Sequence, residues 1–243
     1  MLRALIFDVD GTLAETEELH RQAFNDTFRE FGLPWDWDPE LYRHLLEVAG
    51  GKERMLAHAA ARPPGEQAMV RAMVVEMHAW KTRRYGQLVE AGRLTYRPGV
   101  VDLLREARDA GVALAVATTT SLPNVRGLLR HTPADLPGGV VPEGWFAVLA
   151  AGDVVRAKKP APDIYHLALA ELGVDAGDAV AFEDSRNGLA AALAAGIPTL
   201  VTPSAWVRPF DAAGALAVVE SLHGMRLETL RDLRTAPARA VGR

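Results

Sequence analysis

A chain of 243 residues with 49% hydrophobic and 24% charged side chains has an ordinary globular composition, and its length suits one large domain or one domain carrying an insertion. Its 27 Lys and Arg against 31 Asp and Glu leave a net charge of −4, which argues against a general nucleic-acid binder but leaves room for a local basic pocket. Zero cysteines exclude a disulfide scaffold, cysteine-ligated metal and thiol catalysis. No apolar run approaches the ~18 residues of a membrane span, and Met1 leads straight into a strand pattern, so a soluble, cytoplasmic protein is expected.

Leu5-Ile6-Phe7 reads as a buried strand halted by Asp8-Val9-Asp10-Gly11-Thr12. From Glu15 to Phe31 the period becomes helical, and further helices are predicted near 39–49, 52–61 and 66–91, broken at Gly50-Gly51 and at Pro63-Pro64-Gly65. Met69, Met73, Met77 and Trp80 read as packing within this helical block. After Arg97-Pro98-Gly99 the pattern alternates. A helix near 99–110 leads to the strand Val112–Ala117, which ends in Thr118-Thr119-Thr120-Ser121. A helix at 122–130 follows, then a Pro/Gly-rich loop at 133–144 and a strand at 145–149. The helix at 162–172 precedes a strand at 179–182 ending in Glu183-Asp184-Ser185, and a last pair comprises a helix at 187–195 and a strand at 197–201. Apolar strands separated by helices predict a parallel sheet covered on both faces. The fold class is therefore α/β, with a Rossmann-like core over 1–14 and 93–235, an inserted helical cap over 15–92 and a mobile tail over 236–243.

In such a sheet, ligands bind beyond the carboxyl ends of the strands. Asp8, Asp10, Thr118, Glu183 and Asp184 fall there, with Lys158 and Lys159 in the loop before the helix at 162. Carboxylates, a hydroxyl and lysines gathered on one edge suit phosphoryl transfer. One aspartate serves as nucleophile or metal ligand, the other handles the proton, and repelling acids with oxygen-only donors call for Mg²⁺. Individually the residues have plainer readings: Asp8 and Asp10 as turn residues, Asp184 as a helix cap, and Lys81 with Arg83-Arg84 as a solvated helix face. His20 could equally be a surface histidine or a ligand contact.

Phe7-Asp8-Val9-Asp10-Gly11-Thr12-Leu13 resembles the first motif of the haloacid dehalogenase superfamily. Thr118 resembles the second, Lys159-Pro160-Ala161-Pro162-Asp163 the third and Glu183-Asp184-Ser185 the fourth, in order across roughly residues 1–205. The resemblance implies that Asp8 forms an aspartyl-phosphate and that Asp10 protonates the leaving alkoxide and then activates water. It further implies that Asp8, the Asp10 carbonyl and Asp184 hold Mg²⁺ with Glu183 in or near that shell, while Thr118 binds the phosphoryl group and Lys159 positions Asp8. An aspartate at position 10 suits a phosphatase or mutase better than a dehalogenase.

Glu15-Thr16-Glu17-Glu18-Leu19-His20, Gly50-Gly51-Lys52-Glu53-Arg54, His78 to Tyr85 and Thr118 to Asn124 are similar to the CbbY-type group. That implies removal of the 1-phosphate from xylulose 1,5-bisphosphate, an inhibitor of Rubisco. Substrate contacts are then expected at Glu17, His20, Gly50, Gly51, Lys52, Arg54, His78, Lys81, Thr118, Thr119, Thr120, Asn124 and Lys159, in a monomer. The rivals are a β-phosphoglucomutase-like isomerase, a phosphoglycolate phosphatase and a catalytically idle binding module.

Overall fold

The computed structural model describes residues 1–91, 94–131, 141–207 and 209–235. Most of the predicted Pro/Gly loop and the expected tail lie outside the described residues.

Six parallel strands form one sheet in the order β3-β2-β1-β4-β5-β6: β1 Ala4–Phe7, β2 Ala113–Thr118, β3 Val148–Ala151, β4 Ala179–Glu183, β5 Thr199–Val201 and β6 Ala217–Val218. Alternate side chains pack on opposite faces, as strand geometry requires. Leu5, Phe7, Val116 and Phe182 join one core with α5 (Val100–Asp109), α6 (Leu122–His131) and α9 (Leu227–Thr235). Ala4, Ile6, Ala115, Ala117, Ala179 and Ala181 form the other with α7 (Asp163–Leu172) and α8 (Arg186–Ala194). Small side chains on that second face let these two helices approach the sheet closely.

Between β1 and α5 lie α1 (Glu17–Glu30), α2 (Pro39–Leu45), α3 (Gly51–Ala59) and α4 (Pro64–Ala91). They enclose a separate aromatic core of Phe24, Phe28, Trp35, Trp37, Tyr42, Met55, Val70 and Met77. Asp38 starts α2 by accepting from the Glu40 and Leu41 amides at 2.9 Å, with Pro39 supplying the fixed φ of a first helical residue. The chain enters and leaves this cap past Arg97, whose guanidinium donates to the carbonyls of Gly11, Thr202, Pro203 and Glu220 and pairs with Glu15.

Two features differ from the sequence reading. The strand predicted at 145–149 begins later, at Val148. Trp145 and Phe146 instead close a short turn, their amides donating to Pro142 and Glu143 at 3.0 Å, and the first bond to β2 is from the Ala147 amide to Leu114 at 2.8 Å. Beyond 201 the sequence reading assigned no elements, yet β6 and α9 complete the sheet edge and cover Leu103 and its neighbours. A two-residue strand is too short to show a period.

Candidate active site

Strand order reverses on either side of β1, and the site sits at that switch point. Register puts Phe7 level with both Val116 and Phe182, and Thr118 level with Ala151. The next residues along the central strands therefore emerge together: Asp8 from β1, Thr118 from the end of β2, and Glu183 and Asp184 from β4. Gly11 turns the chain with φ 76°, and a methyl there would overlap the Asp184 carboxylate, so glycine is required on both counts.

Asp8 and Asp10 diverge. Lys159 donates to Asp8 Oδ1 at 2.7 Å, to Glu183 Oε1 at 2.6 Å and to the Ala117 carbonyl at 2.8 Å. Asp10 instead reaches the cap, where Oδ1 accepts from Thr16 Oγ1 and lies 3.0 Å from His20 Nε2. On its other side His20 Nδ1 lies 2.6 Å from Lys81 Nζ, and its ring stacks on Tyr85 with centroids 3.9 Å apart. With Lys81 protonated, its ammonium donates only, so Nδ1 accepts and Nε2 carries the proton toward Asp10.

Electrostatics separate the two aspartates. Burial raises the Asp8 carboxyl, Lys159 opposes the rise and Asp10 adds to it. Burial alone would also raise Asp10, but His20, Thr16 and Lys81 together hold it well below the usual carboxylate range. Burial, then Asp8 and Glu183, push Asp184 far up, and burial pushes Glu183 to about 7 against the pull of Lys159. Burial would lower Lys159, yet Asp8 and Glu183 keep it firmly protonated.

The donor set fits a hard cation. Asp8, Glu183 and Asp184 each bring a carboxylate oxygen within 4.8 Å of the others, and Glu183 Oε2 is buried without a hydrogen-bond partner. Oxygen-only ligands of like charge, one of them orphaned, are the chemistry that Mg²⁺ satisfies.

A cavity of about 120 Å³ opens over these groups. Its core wall is Thr118, Thr119, Thr120, Ser121 and Asn124 beside Asp8, Lys159 and Asp184. Thr118 Oγ1 accepts from the Thr120 amide at 3.2 Å, while Ser121 Oγ and Asn124 Oδ1 are buried without partners. Its cap wall is Glu17, His20, Gly50, Gly51, Arg54, His78 and Lys81. Arg54 is aimed by bonds to the Leu45 carbonyl at 3.0 Å and Tyr42 Oη at 3.1 Å, and Tyr42 in turn donates to Glu17 at 2.7 Å. Gly51 makes room for His78, whose ring lies 2.8 Å from where a methyl would stand. Burial, with Lys81 next, lowers His78 to about 4.

Lys52 is the one predicted site residue placed outside this cavity. It pairs with Asp153 of the core, which also takes Lys158 at 2.9 Å, and Lys158 reaches Glu53 at 3.0 Å. Lys81 is no solvated residue: it is 4% exposed, and burial brings it down to about 7. Arg83 is exposed and Arg84 pairs with Asp26 at 2.6 Å, so the solvated-face reading holds for those two. Sequence reasoning gave no site role to Thr16, Tyr42, Tyr85 and Tyr165, which act through other side chains, or to the lining residues Phe24, Leu46, Ala49, Asn187, Gly188 and Val207. Thr16 and Tyr85 lie in segments that resemble the CbbY-type group and so had a signal; Tyr42 and Tyr165 had none.

The comparisons with known proteins agree with this geometry. A family model described as a haloacid dehalogenase-like hydrolase matches residues 2–196. Protein CbbY of Cereibacter sphaeroides is 48% identical over 225 residues, covering 91% of this chain and 93% of that protein. The crystal structure of CbbY from Rhodobacter sphaeroides in complex with phosphate superimposes with a TM-score of 0.85 at 46% identity, covering 95% of this chain and all of the other. The crystal structure of a point mutant of the same protein in complex with xylulose 1,5-bisphosphate matches equally well, with a TM-score of 0.85 at 46% identity. With the family motif spanning most of the chain and its residues converging at the sheet's switch point, the protein belongs to the haloacid dehalogenase-like hydrolases and is an enzyme of their phosphatase type.

Proposed function

We propose that this chain is a Mg²⁺-dependent sugar-phosphate phosphatase that works through an aspartyl-phosphate and converts xylulose 1,5-bisphosphate to xylulose 5-phosphate and phosphate. The observation that carries the reading is the divergence of the two aspartates, Asp8 held by a core lysine and Asp10 by a cap histidine. One carboxylate is thereby kept for nucleophilic attack and the other for proton transfer. The choice of sugar rests on the similarity to CbbY, one form of which is described in complex with that bisphosphate. Removing it would clear an inhibitor of Rubisco.

Asp8, Glu183 and Asp184 would hold Mg²⁺, and the family resemblance adds the Asp10 main-chain carbonyl. Bound there, the ion neutralises charge so that an anionic phosphoryl group can approach an anionic nucleophile. Lys159 fixes the Asp8 carboxylate by its Oδ1 while Thr118, Ser121 and Asn124 receive the phosphoryl oxygens. An Asp8 oxygen bonds to phosphorus as the bond from phosphorus to the sugar oxygen breaks, and that sugar oxygen takes a proton passed through Asp10, ionised at rest, from His20. The Lys81–His20–Asp10 chain lets a proton reach Asp10 from the cap. Water then gives a proton to Asp10 and its oxygen displaces Asp8 from phosphorus, freeing phosphate. Arg54, with Glu17 and Tyr42 setting its direction, offers a charge-assisted site for the second phosphate on the cap side.

Phosphate release measured across sugar mono- and bisphosphates, with organic products identified, tests this. Release should be fastest with xylulose 1,5-bisphosphate, stop with EDTA and return with Mg²⁺. Dominant conversion of glucose 1-phosphate to glucose 6-phosphate would replace the hydrolytic reading with a mutase, and full activity in metal-free buffer would defeat the metal assignment.

A further inference from the structure

Tyr165 is fully buried in α7, and its hydroxyl donates to Glu183 Oε1. The same oxygen accepts from Lys159 Nζ at 2.6 Å. The other oxygen, Oε2, is buried and accepts from nothing. The carboxylate is thus asymmetric: two donors converge on one oxygen and none reaches its twin. Packing reinforces the arrangement. A methyl on Gly188 would overlap the Glu183 carboxylate, Oε2 most closely, so only the bare glycine at the start of α8 leaves room beside that oxygen, and the Lys159 ammonium lies 5.1 Å from the Tyr165 ring centroid. Apart from that bond Tyr165 belongs to the apolar core between the sheet and α7 and α8, where phenylalanine would keep the same ring.

We propose that Tyr165 is a positioning residue for the metal site: together with Lys159 it ties down Oε1 of Glu183 and so presents Oε2 to a divalent cation. A carboxylate free to rotate would spread its lone pairs over several directions and lose entropy when the ion fixed it. One already pinned at Oε1 has lost that entropy on folding. Partners of this kind behind a metal ligand are commonly worth about 10- to 100-fold in metal affinity. The inference rests on the Mg²⁺ reading above.

Tyr165→Phe keeps the ring and removes only the hydroxyl. Titration calorimetry with Mg²⁺ on the substrate-free protein should show its dissociation constant raised about tenfold, while the melting temperature in EDTA stays close to wild type. Turnover should recover at saturating Mg²⁺ with KM for the sugar phosphate little changed. In a Glu183→Gln background, where Oε2 no longer presents a charge, Tyr165→Phe should cost little further Mg²⁺ affinity. Wild-type protein that binds no Mg²⁺ would strike down the metal reading itself. Unchanged affinity in Tyr165→Phe, or an undiminished loss in the Glu183→Gln background, would overturn the role of Tyr165 alone.

Discussion

Asp153→Asn tests how the cap is held over the catalytic edge. Asp153 of the core accepts from Lys52 of α3 and pairs with Lys158 at 2.9 Å, while Lys158 binds Glu53 of α3 at 3.0 Å. With Asp153 55% and Glu53 42% exposed, each pair belongs to the partly solvated class worth roughly 0.2–1 kcal/mol. Losing the two pairs of Asp153 therefore removes about 1 kcal/mol, or about a fivefold change in the ratio of closed to open cap. Lys52 and then Lys158 hold the Asp153 carboxyl down at about 2, so the network is complete above its ordinary value of 3.8 and fails only as pH falls through about 2. The chain has no cysteines, so labels introduced by Val75→Cys on the cap and Val218→Cys on the core, both on exposed side chains, report the cap-to-core distance cleanly. Asp153→Asn should shift that distribution toward longer distances and lower kcat/KM up to about fivefold. High salt should do the same to wild type, since screening reaches about 3 Å at 1 M. Additive effects of Asp153→Asn and Lys52→Met, or a distance distribution indifferent to both salt and substitution, would refute the reasoning.

Asp8→Asn should abolish turnover with an unchanged or higher melting temperature in EDTA, because it removes one of three mutually repelling carboxylates; Asp10→Asn should lower kcat by about 10²- to 10⁴-fold while substrate binding survives. Lys81→Met should raise the melting temperature at neutral pH and lower turnover: with its folded value near 7 against an ordinary 10.5, the buried lysine destabilises the fold fully below about pH 7, and that cost fades as pH rises toward 10.5. A melting temperature lowered by Lys81→Met would contradict this. His58 and His78 are both lowered from 6.5 to about 4, chiefly by burial, so the unfolded chain binds more protons between those values and stability should fall as pH drops from 6.5 to 4. Melts across that range should show a shallower slope in His58→Gln.

Much of the catalytic edge was legible because strand ends announce themselves. Asp8, Thr118 and Glu183-Asp184 each close an apolar run, and a parallel sheet brings such ends to one side whatever the register. The cap was harder, since helix faces depend on where the helix begins. α3 starts at Gly51, and Gly51 and Arg54, three apart, share the face toward the cavity. Lys52 lies about 100° around from Gly51 and so meets the core loop at Asp153 instead. The same spacing puts Glu17, His20 and Phe24 on one face of α1, and His78 and Lys81 with Tyr85 on one face of α4, turning Arg83 out to solvent. Tyr42 and Tyr165 lay beyond sequence reasoning because each bonds a partner far along the chain, Glu17 and Glu183.

Two short stretches carry both cap contact and chemistry, and their adjacency couples the two. Lys158 binds Glu53 of the cap while the next residue, Lys159, binds Asp8, so displacement of α3 pulls on the segment that orients the nucleophile. Asp10 follows Asp8 by two residues, yet its carboxylate is held by Thr16 and His20 at the start of the cap while Asp8 is held by Lys159 of the core. The two carboxylates are therefore held from opposite walls of the cavity. On the aspartyl-phosphate reading proposed above, a base anchored to the cap would tie hydrolysis to cap position as well as to the chemistry of the phosphoryl group.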